Sequence, residues 1–370
     1  MPSTPSDQGR IARAALQIVD LPLGAARGGS GATQLQLVIV RLTDTDGASG
    51  TGYTYALGPG MAATAALIEE LHLPAVAGMP LAEWDRTRYR MQEATHRLGT
   101  GITRLATSAI DIAIWDLRAT RRGLPLYQLL GAHRDEVPVY GSGRATHAMS
   151  TEELVAGSRS YVDEGYSAVK LRVGVRPPAE DVARVSAVRE ALGDGVGIMV
   201  DANERLDLAT AVWMAPRLAD LGVLWFEEPV PTRHIEAYRT LASRQAPPLA
   251  VGEHVLDASG FTAFTTSAPI WMPDAPLAGG VSEFLRIDAL AEAHGTSVTP
   301  HFLPELHVHL VAAGRATTWL EHFPLLDDLL VETLEIRNGR AAPPDRPGHG
   351  LRWDEDRLSA HRVRRVELSA

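Results

Sequence analysis

The chain has 370 residues, too many for a single barrel-sized domain, and 45% of them are hydrophobic, as in an ordinary globular enzyme. Its net charge of −10 disfavours nucleic acid as a partner, and the absence of cysteine excludes disulfides and thiolate chemistry. No stretch offers the ~20 uncharged apolar residues of a membrane span, and residues 1–10 lack the apolar core of a signal peptide, so a cytoplasmic location is expected.

Residues 11–57 alternate in a strand-like way, as in Leu35-Gln-Leu-Val-Ile-Val-Arg-Leu and Gly50-Thr-Gly-Tyr-Thr-Tyr, with polar, glycine-rich loops at 24–32 and 57–60. Helical patterns follow over 62–130, most clearly in Ala106-Thr-Ser-Ala-Ile-Asp-Ile-Ala-Ile-Trp-Asp-Leu. Strands followed by helices predict an α+β unit over residues 1–130. From Val137 the pattern becomes strand–helix alternation, with strands ending near Tyr140, Arg172, Asp201, Glu227, Glu253, Asp274, His301 and Glu321. Eight such units predict an α/β fold, a (β/α)8 barrel over 131–335. Residues 336–370 are too few for a domain and are expected to return to the N-terminal unit.

Three of these strand ends recur at one interval. Asp201 closes Val196-Gly-Ile-Met-Val-Asp, Glu227 closes Val223-Leu-Trp-Phe-Glu and Glu253 closes Leu249-Ala-Val-Gly-Glu, 26 residues apart each time. A buried parallel strand reads as a continuous apolar run, and its return helix and loops fill roughly 20 further residues. The spacing therefore predicts three successive barrel strands with carboxylates at one rim, the face where barrel enzymes keep their chemistry. Each acid alone could be a surface or turn residue. Three together cannot all stay ionised without a cation, and hard oxygen ligands suit Mg²⁺.

The strand Ser167-Ala-Val-Lys-Leu-Arg-Val-Gly carries two cations, Lys170 and Arg172, on one face, with Val169, Leu171 and Val173 on the other. Solvated charges on an edge strand would read the same way. Beside a strand ending in Asp201, an inward face is expected, with both cations ready for a carboxylate substrate. Asp274 and His301, at consecutive strand ends, suit an Asp–His pair in which one imidazole nitrogen is held and the other freed as a base. Glu321 ends the eighth strand. His307 and His309, and His254 directly after Glu253, read more readily as structural histidines.

The order Lys170-Leu-Arg172, Asp201-Ala-Asn203, Glu227-Glu-Pro229, Gly252-Glu253, Pro273-Asp274, Gly279-Gly280-Val281, His301 and Trp319-Leu-Glu321 resembles the mandelate racemase/muconate-lactonizing enzyme branch of the enolase superfamily over nearly the whole chain. Pro300-His-Phe, Glu305-Leu-His-Val-His-Leu and Trp319-Leu-Glu-His-Phe look most like acid-sugar dehydratases of the L-talarate/galactarate type. The resemblance implies an α+β capping domain over a modified barrel, and Mg²⁺ held by Asp201, Glu227 and Glu253. It implies that Lys170 polarises the substrate carboxylate, that His301 is the base oriented by Asp274, and that Glu321 hydrogen-bonds the enediolate if it carries a proton. The second cation of this motif is usually a base lysine. Here it is Arg172, which is protonated at any ordinary pH and cannot take a proton. The expected activity is dehydration of an acid sugar to a 2-keto-3-deoxy acid, with a racemase or epimerase, a cycloisomerase and a catalytically silent metal-binding barrel as alternatives. Asn203, Arg27, Tyr53 and Tyr55 are candidate substrate contacts. The expected partners are a small carboxylate and further copies of the chain, from dimer to octamer, with neither nucleic acid nor membrane.

Overall fold

The computed structural model describes residues 9–27 and 31–369. Alternating apolar residues build an antiparallel meander of β1 (Ile11–Arg27), β2 (Ala32–Asp44) and β3 (Ser49–Leu57). Helix Gly101–Arg122 lies across this sheet, and Gly50 and Gly52 make the approach possible. A Cβ at Gly52 would sit 2.1 Å from the Ala109 carbonyl oxygen, so no larger residue fits under the helix. The helix stops at Gly123, whose φ of 63° suits a glycine cap.

Eight parallel strands follow: β4 (Val137–Gly141), β5 (Ala168–Arg172), β6 (Gly197–Asp201), β7 (Phe226–Glu227), β8 (Leu249–Val251), β9 (Ile270–Trp271), β10 (Ser297–Val298) and β11 (Leu320–His322). Each pairs with the next from β4 to β10, and β11 returns to pair with β4. Val298 bridges to Thr317, just ahead of β11, and closes the ring. The fold is thus a modified (β/α)8 barrel. Helices return between strands with local caps; Ser150 and Glu153 form a capping box on helix Thr151–Asp163, and Asp207 caps Leu208–Asp220. Two short strands end the chain. β12 (Arg340–Ala341) pairs with β4, and β13 (Arg362–Ser369) adds antiparallel to β1, returning the tail to the N-terminal sheet.

The barrel interior is filled by Tyr140, Ala168, Met199, Trp225, Ala250 and Met272, with Trp319 packed against them. Side chains alternate faces along a strand, so the residue two positions on points the same way. That step leads from Ala168 to Lys170 and on to Arg172, from Met199 to Asp201, from Trp225 to Glu227, from Met272 to Asp274 and from Trp319 to Glu321. The apolar plug and the polar rim are successive layers of one inward face.

Three expected strand ends lie beyond the regular pairing: Glu253, Asp274 and His301 follow strands that stop at Val251, Trp271 and Val298. The reason is local. Gly252 has φ 147°, and Pro273 and Pro300 bring no N–H to the ladder. Single extended bonds continue the approach, from Met272 N to Val251 O (2.9 Å) and from Thr299 N to Trp271 O (2.8 Å).

The capping sheet docks over the rim through buried polar contacts. Asp111, on helix Gly101–Arg122, accepts from Ser282 N (2.8 Å), Ser282 Oγ (2.5 Å) and Trp84 Nε1 (2.9 Å), so one domain caps the first turn of the other's helix Val281–His294. Gly280, at φ 86°, leaves the room; a Cβ there would lie 2.4 Å from Asp111 Oδ2. No helix among the described residues is long and apolar enough to cross a membrane.

Candidate active site

Lys170 is buried between acids from three strands. Its Nζ lies 2.8 Å from Glu227 Oε1, 2.8 Å from Glu321 Oε1 and 3.6 Å from Asp201 Oδ2. Trp225 Nε1 donates to the second Glu227 oxygen at 3.1 Å. Arg172, also buried, is in direct contact with Asp201 Oδ2 and donates to Asn203 Oδ1 at 3.0 Å, while its Nη2 has no partner. Asn203 closes this corner, its backbone N–H reaching Asp201 Oδ1 at 2.7 Å.

On the other side of the rim, His301 stands between two carboxylates. Its Nε2 is 3.0 Å from Glu253 Oε2 and its Nδ1 is 3.0 Å from Asp274 Oδ2. The Tyr55 hydroxyl, from the capping sheet, donates to the same Asp274 oxygen at 2.6 Å. The imidazole stacks on Phe302 with ring centroids 3.7 Å apart. Phe302 and the following Leu303 both take positive φ, 53° and 45°, a costly pair for residues with side chains. Phe302 N donates to Glu321 Oε2 at 3.0 Å, tying the turn to the eighth strand.

These contacts set the charges. Burial opposes ionisation of His301, but the Glu253 charge and the Asp274 hydrogen bond outweigh it and push its pKa up to about 10. Glu253 is held well below the usual carboxylate range; burial works against this, but the His301 charge and hydrogen bond dominate. Burial likewise raises Glu321, and the Lys170 charge overcomes it, so Glu321 is ionised here. The proton expected on Glu321 is not favoured while Lys170 holds it.

Among the described residues, the three-member acid and imidazole group whose ligand atoms lie within 4.8 Å of one another is Glu204, Glu228 and His254. Asp201, Glu227 and Glu253 face the same rim, but each is paired with a cation: Arg172, Lys170 and His301 in turn. Their chemistry fits a hard divalent ion: three buried or nearly buried carboxylates whose charge the protein otherwise neutralises with three separate cations.

A cavity of 330 Å³ opens onto this rim, lined by Tyr55, Leu57, Arg172, Arg205, Glu253 and His301 among others. Asn203 and His254 line it too. His254 is no buried structural histidine: its side chain is 60% exposed with Nδ1 3.7 Å from Glu228 Oε2, and the carboxylates of Glu228 and Glu253 beside it raise its pKa to about 9. His307 and His309 are structural. His307 Nε2 accepts from Ala275 N (3.1 Å) while Nδ1 donates to Phe302 O (2.7 Å), and His309 joins Tyr127 N to His349 O. Tyr53 is turned from the cavity; it packs edge-on against Trp353 (5.5 Å) and its hydroxyl is 3.5 Å from Glu305 Oε1. The side chain of Arg27 lies outside the described residues.

Sequence reasoning singled out neither Arg205 nor His147, and it quoted Glu305 only within a motif, with no role of its own. Arg205 lines the cavity from the Asp201 loop; a cation four residues past a predicted metal ligand was the available signal. Nothing in the pattern marks Glu305 as buried.

Two family descriptions match the chain, "Mandelate racemase / muconate lactonizing enzyme, N-terminal domain" over residues 12–131 and "Enolase C-terminal domain-like" over 153–357. The chain belongs to the mandelate racemase/muconate lactonizing enzyme family. Among its relatives is L-talarate/galactarate dehydratase of Salmonella typhimurium, 38% identical over 329 residues that cover 87% of this chain and 82% of that protein. Another is 3,6-anhydro-alpha-L-galactonate cycloisomerase of Streptomyces coelicolor, 32% identical over 87% of this chain and 90% of that one. Among solved structures, L-talarate dehydratase from Polaromonas sp. JS666, complexed with Mg and L-glucarate, superposes with a TM-score of 0.91 at 34% identity, covering 98% of this chain and 99% of that one. The relatives of this chain thus include both a dehydratase and a cycloisomerase.

Proposed function

We propose that this member of the family is a Mg²⁺-dependent acid-sugar dehydratase, a hydro-lyase that removes the proton α to a carboxylate and expels the 3-hydroxyl to give a 2-keto-3-deoxy acid. The observation that carries the reading is His301, oriented by Asp274 and facing the same cavity as the non-basic Arg172. Asp201, Glu227 and Glu253 would hold the ion. When bound, Mg²⁺ would neutralise these carboxylates and polarise the substrate carboxylate and 2-hydroxyl. The dehydratase relative and the glucarate complex of the solved neighbour support a sugar-derived acid.

The chain's own groups divide the remaining work. His301 is protonated while its Nε2 faces Glu253; with Glu253 given over to an ion that pull would be lost, and Nε2, with Asp274 still holding Nδ1, would be free to accept the α-proton. Lys170 presents a fixed positive charge where the enediolate oxygens develop theirs. Glu321 holds Lys170 in place. The proton gained by His301 is then available to the departing 3-hydroxyl, which leaves as water, and the resulting enol becomes the 2-keto acid. A racemase needs a base on each face of the substrate, and Arg172 supplies none. A cycloisomerase that relies on this second position is disfavoured for the same reason.

The test is α-proton exchange in D₂O, followed by NMR with a library of acid sugars. Wild type is expected to exchange and eliminate with one configuration at carbon 2, and only with Mg²⁺ present. His301→Asn is expected to lose both reactions. Exchange at the wild-type rate in that variant would show that another residue is the base.

A further inference from the structure

We propose that Glu204, Glu228 and His254 form a second cation site, beside the carboxylates proposed for Mg²⁺ but sharing no residue with them, and that it takes a transition ion of the Zn²⁺ type. One ligand atom from each of the three residues lies within 4.8 Å of the others. His254 Nδ1 is 3.7 Å from Glu228 Oε2. That is too long for a hydrogen bond. It is close to the separation of about 3.4 Å between ligands of a tetrahedral ion bound at about 2.0–2.1 Å.

The deciding atom is Glu228 Oε2. The Glu228 side chain is 1% exposed, and this oxygen is buried without a hydrogen-bond partner while facing His254. Asp201 and Glu227 are covered by Arg172 and Lys170. Among the described residues, no lysine or arginine pairs with Glu228 or Glu204. A carboxylate taken out of water without a partner is costly, and a bound cation removes that cost.

The other oxygens show how the group is held. Glu228 Oε1 accepts from Gly252 N (3.1 Å) and Glu253 N (3.2 Å). Glu204 Oε1 accepts from Thr232 N and Thr232 Oγ1, both at 2.5 Å. Each carboxylate is therefore oriented from behind by protein donors, as the ligands of metal sites are. The main chain joins the two acids as well, since Glu204 N donates to Glu228 O at 2.8 Å and ties the loop after β6 to the end of β7. The imidazole is not committed elsewhere. His254 Nδ1 is 3.6 Å from Glu253 Oε1, again beyond hydrogen-bond range, so coordination would break no hydrogen bond of this side chain.

The donor set selects the ion. Asp201, Glu227 and Glu253 offer oxygen alone, which suits Mg²⁺. One imidazole with two carboxylates suits Zn²⁺, and three protein ligands leave its fourth position open. His254 is 60% exposed and lines the 330 Å³ cavity, so an ion can reach the group from solvent.

The experiment is equilibrium dialysis with metal analysis, supplying Zn²⁺ to protein kept in excess Mg²⁺, for wild type, His254→Gln, Glu204→Gln and Asp201→Asn, each checked for native circular dichroism. Wild type is expected to retain one Zn²⁺ per chain. His254→Gln and Glu204→Gln are expected to bind it at least about tenfold more weakly, and Asp201→Asn is expected to keep it. No retained Zn²⁺ in wild type, or retention equal to wild type in either of the first two variants, overturns the proposal. A loss in Asp201→Asn as large as that in His254→Gln places the ion among the Mg²⁺ carboxylates and overturns it too. The readout involves no turnover, so it stands apart from the dehydratase reading.

Discussion

Tyr55 and Asp274 join the two domains through one oxygen: the capping-sheet hydroxyl donates at 2.6 Å to the Asp274 Oδ2 that also holds His301. The base is thus oriented by an acid whose own position depends on the cap. Asp274 Oδ1 is buried without a partner, so Oδ2 carries the whole of its described hydrogen bonding.

Tyr55→Phe is expected to lower kcat about fivefold while changing KM little, because it removes a positioning contact of the kind worth roughly 1 kcal/mol. Steady-state kinetics with the acid sugar that wild type turns over is the measurement. Unchanged kcat would mean that the contact only docks the cap.

Arg172→Lys asks whether the missing second base is the reason for the reaction type. A lysine here would lie beside Lys170, and burial with a neighbouring cation lowers its pKa toward neutrality. The variant is expected to gain slow α-proton exchange with the opposite C2 epimer while its dehydration slows, because the contacts of Nη1 with Asp201 and Asn203 are lost. Incubation of each epimer in D₂O with wild type and variant checks this. If wild type already exchanges both epimers at similar rates, the racemase reading moves ahead.

Glu305 makes stability sensitive to alkali. Burial, with repulsion from Asp327 and Asp274 added, pushes its pKa up to about 8. An ordinary Glu titrates near about 4.3, so the folded state binds this proton more tightly than the unfolded chain. The stabilisation is complete below the ordinary value and is lost as pH rises through about 8. Thermal unfolding of wild type is therefore expected to shift down by a few degrees between pH 6.5 and 9. Glu305→Gln should show a flatter profile over that window. Parallel profiles would remove Glu305 as the cause.

Much of the rim was legible because a strand repeats every two residues. Ala168 and Lys170, Met199 and Asp201, Trp225 and Glu227, Met272 and Asp274, and Trp319 and Glu321 each lie on one face, so apolar runs ending in charge announced the layers. The tail's return as β13 followed from its shortness. Strand lengths were less legible, since Gly252, Pro273 and Pro300 end the pairing before the polar residue arrives. The surroundings of Tyr53 and Glu305 were not legible because each is defined by a partner far away in sequence, Tyr53 packing on Trp353 and Glu305 meeting the Tyr53 hydroxyl. Arg205 was hidden by a turn of two left-handed residues that no local propensity signals.

Glu253 stands apart from the other acids of the rim. Two steps beyond Ala250 falls Gly252, so the pleat alone would leave Glu253 facing away from the lumen. The φ of 147° at Gly252 rotates it back, and a Cβ there would meet Met272 N at 2.7 Å and the Phe261 ring at 2.8 Å. One of the three proposed ligands is therefore aimed by a single main-chain torsion, while its two companions are aimed by the alternation of the sheet, so the direction of that carboxylate is set by a residue with no side chain and no chemistry of its own.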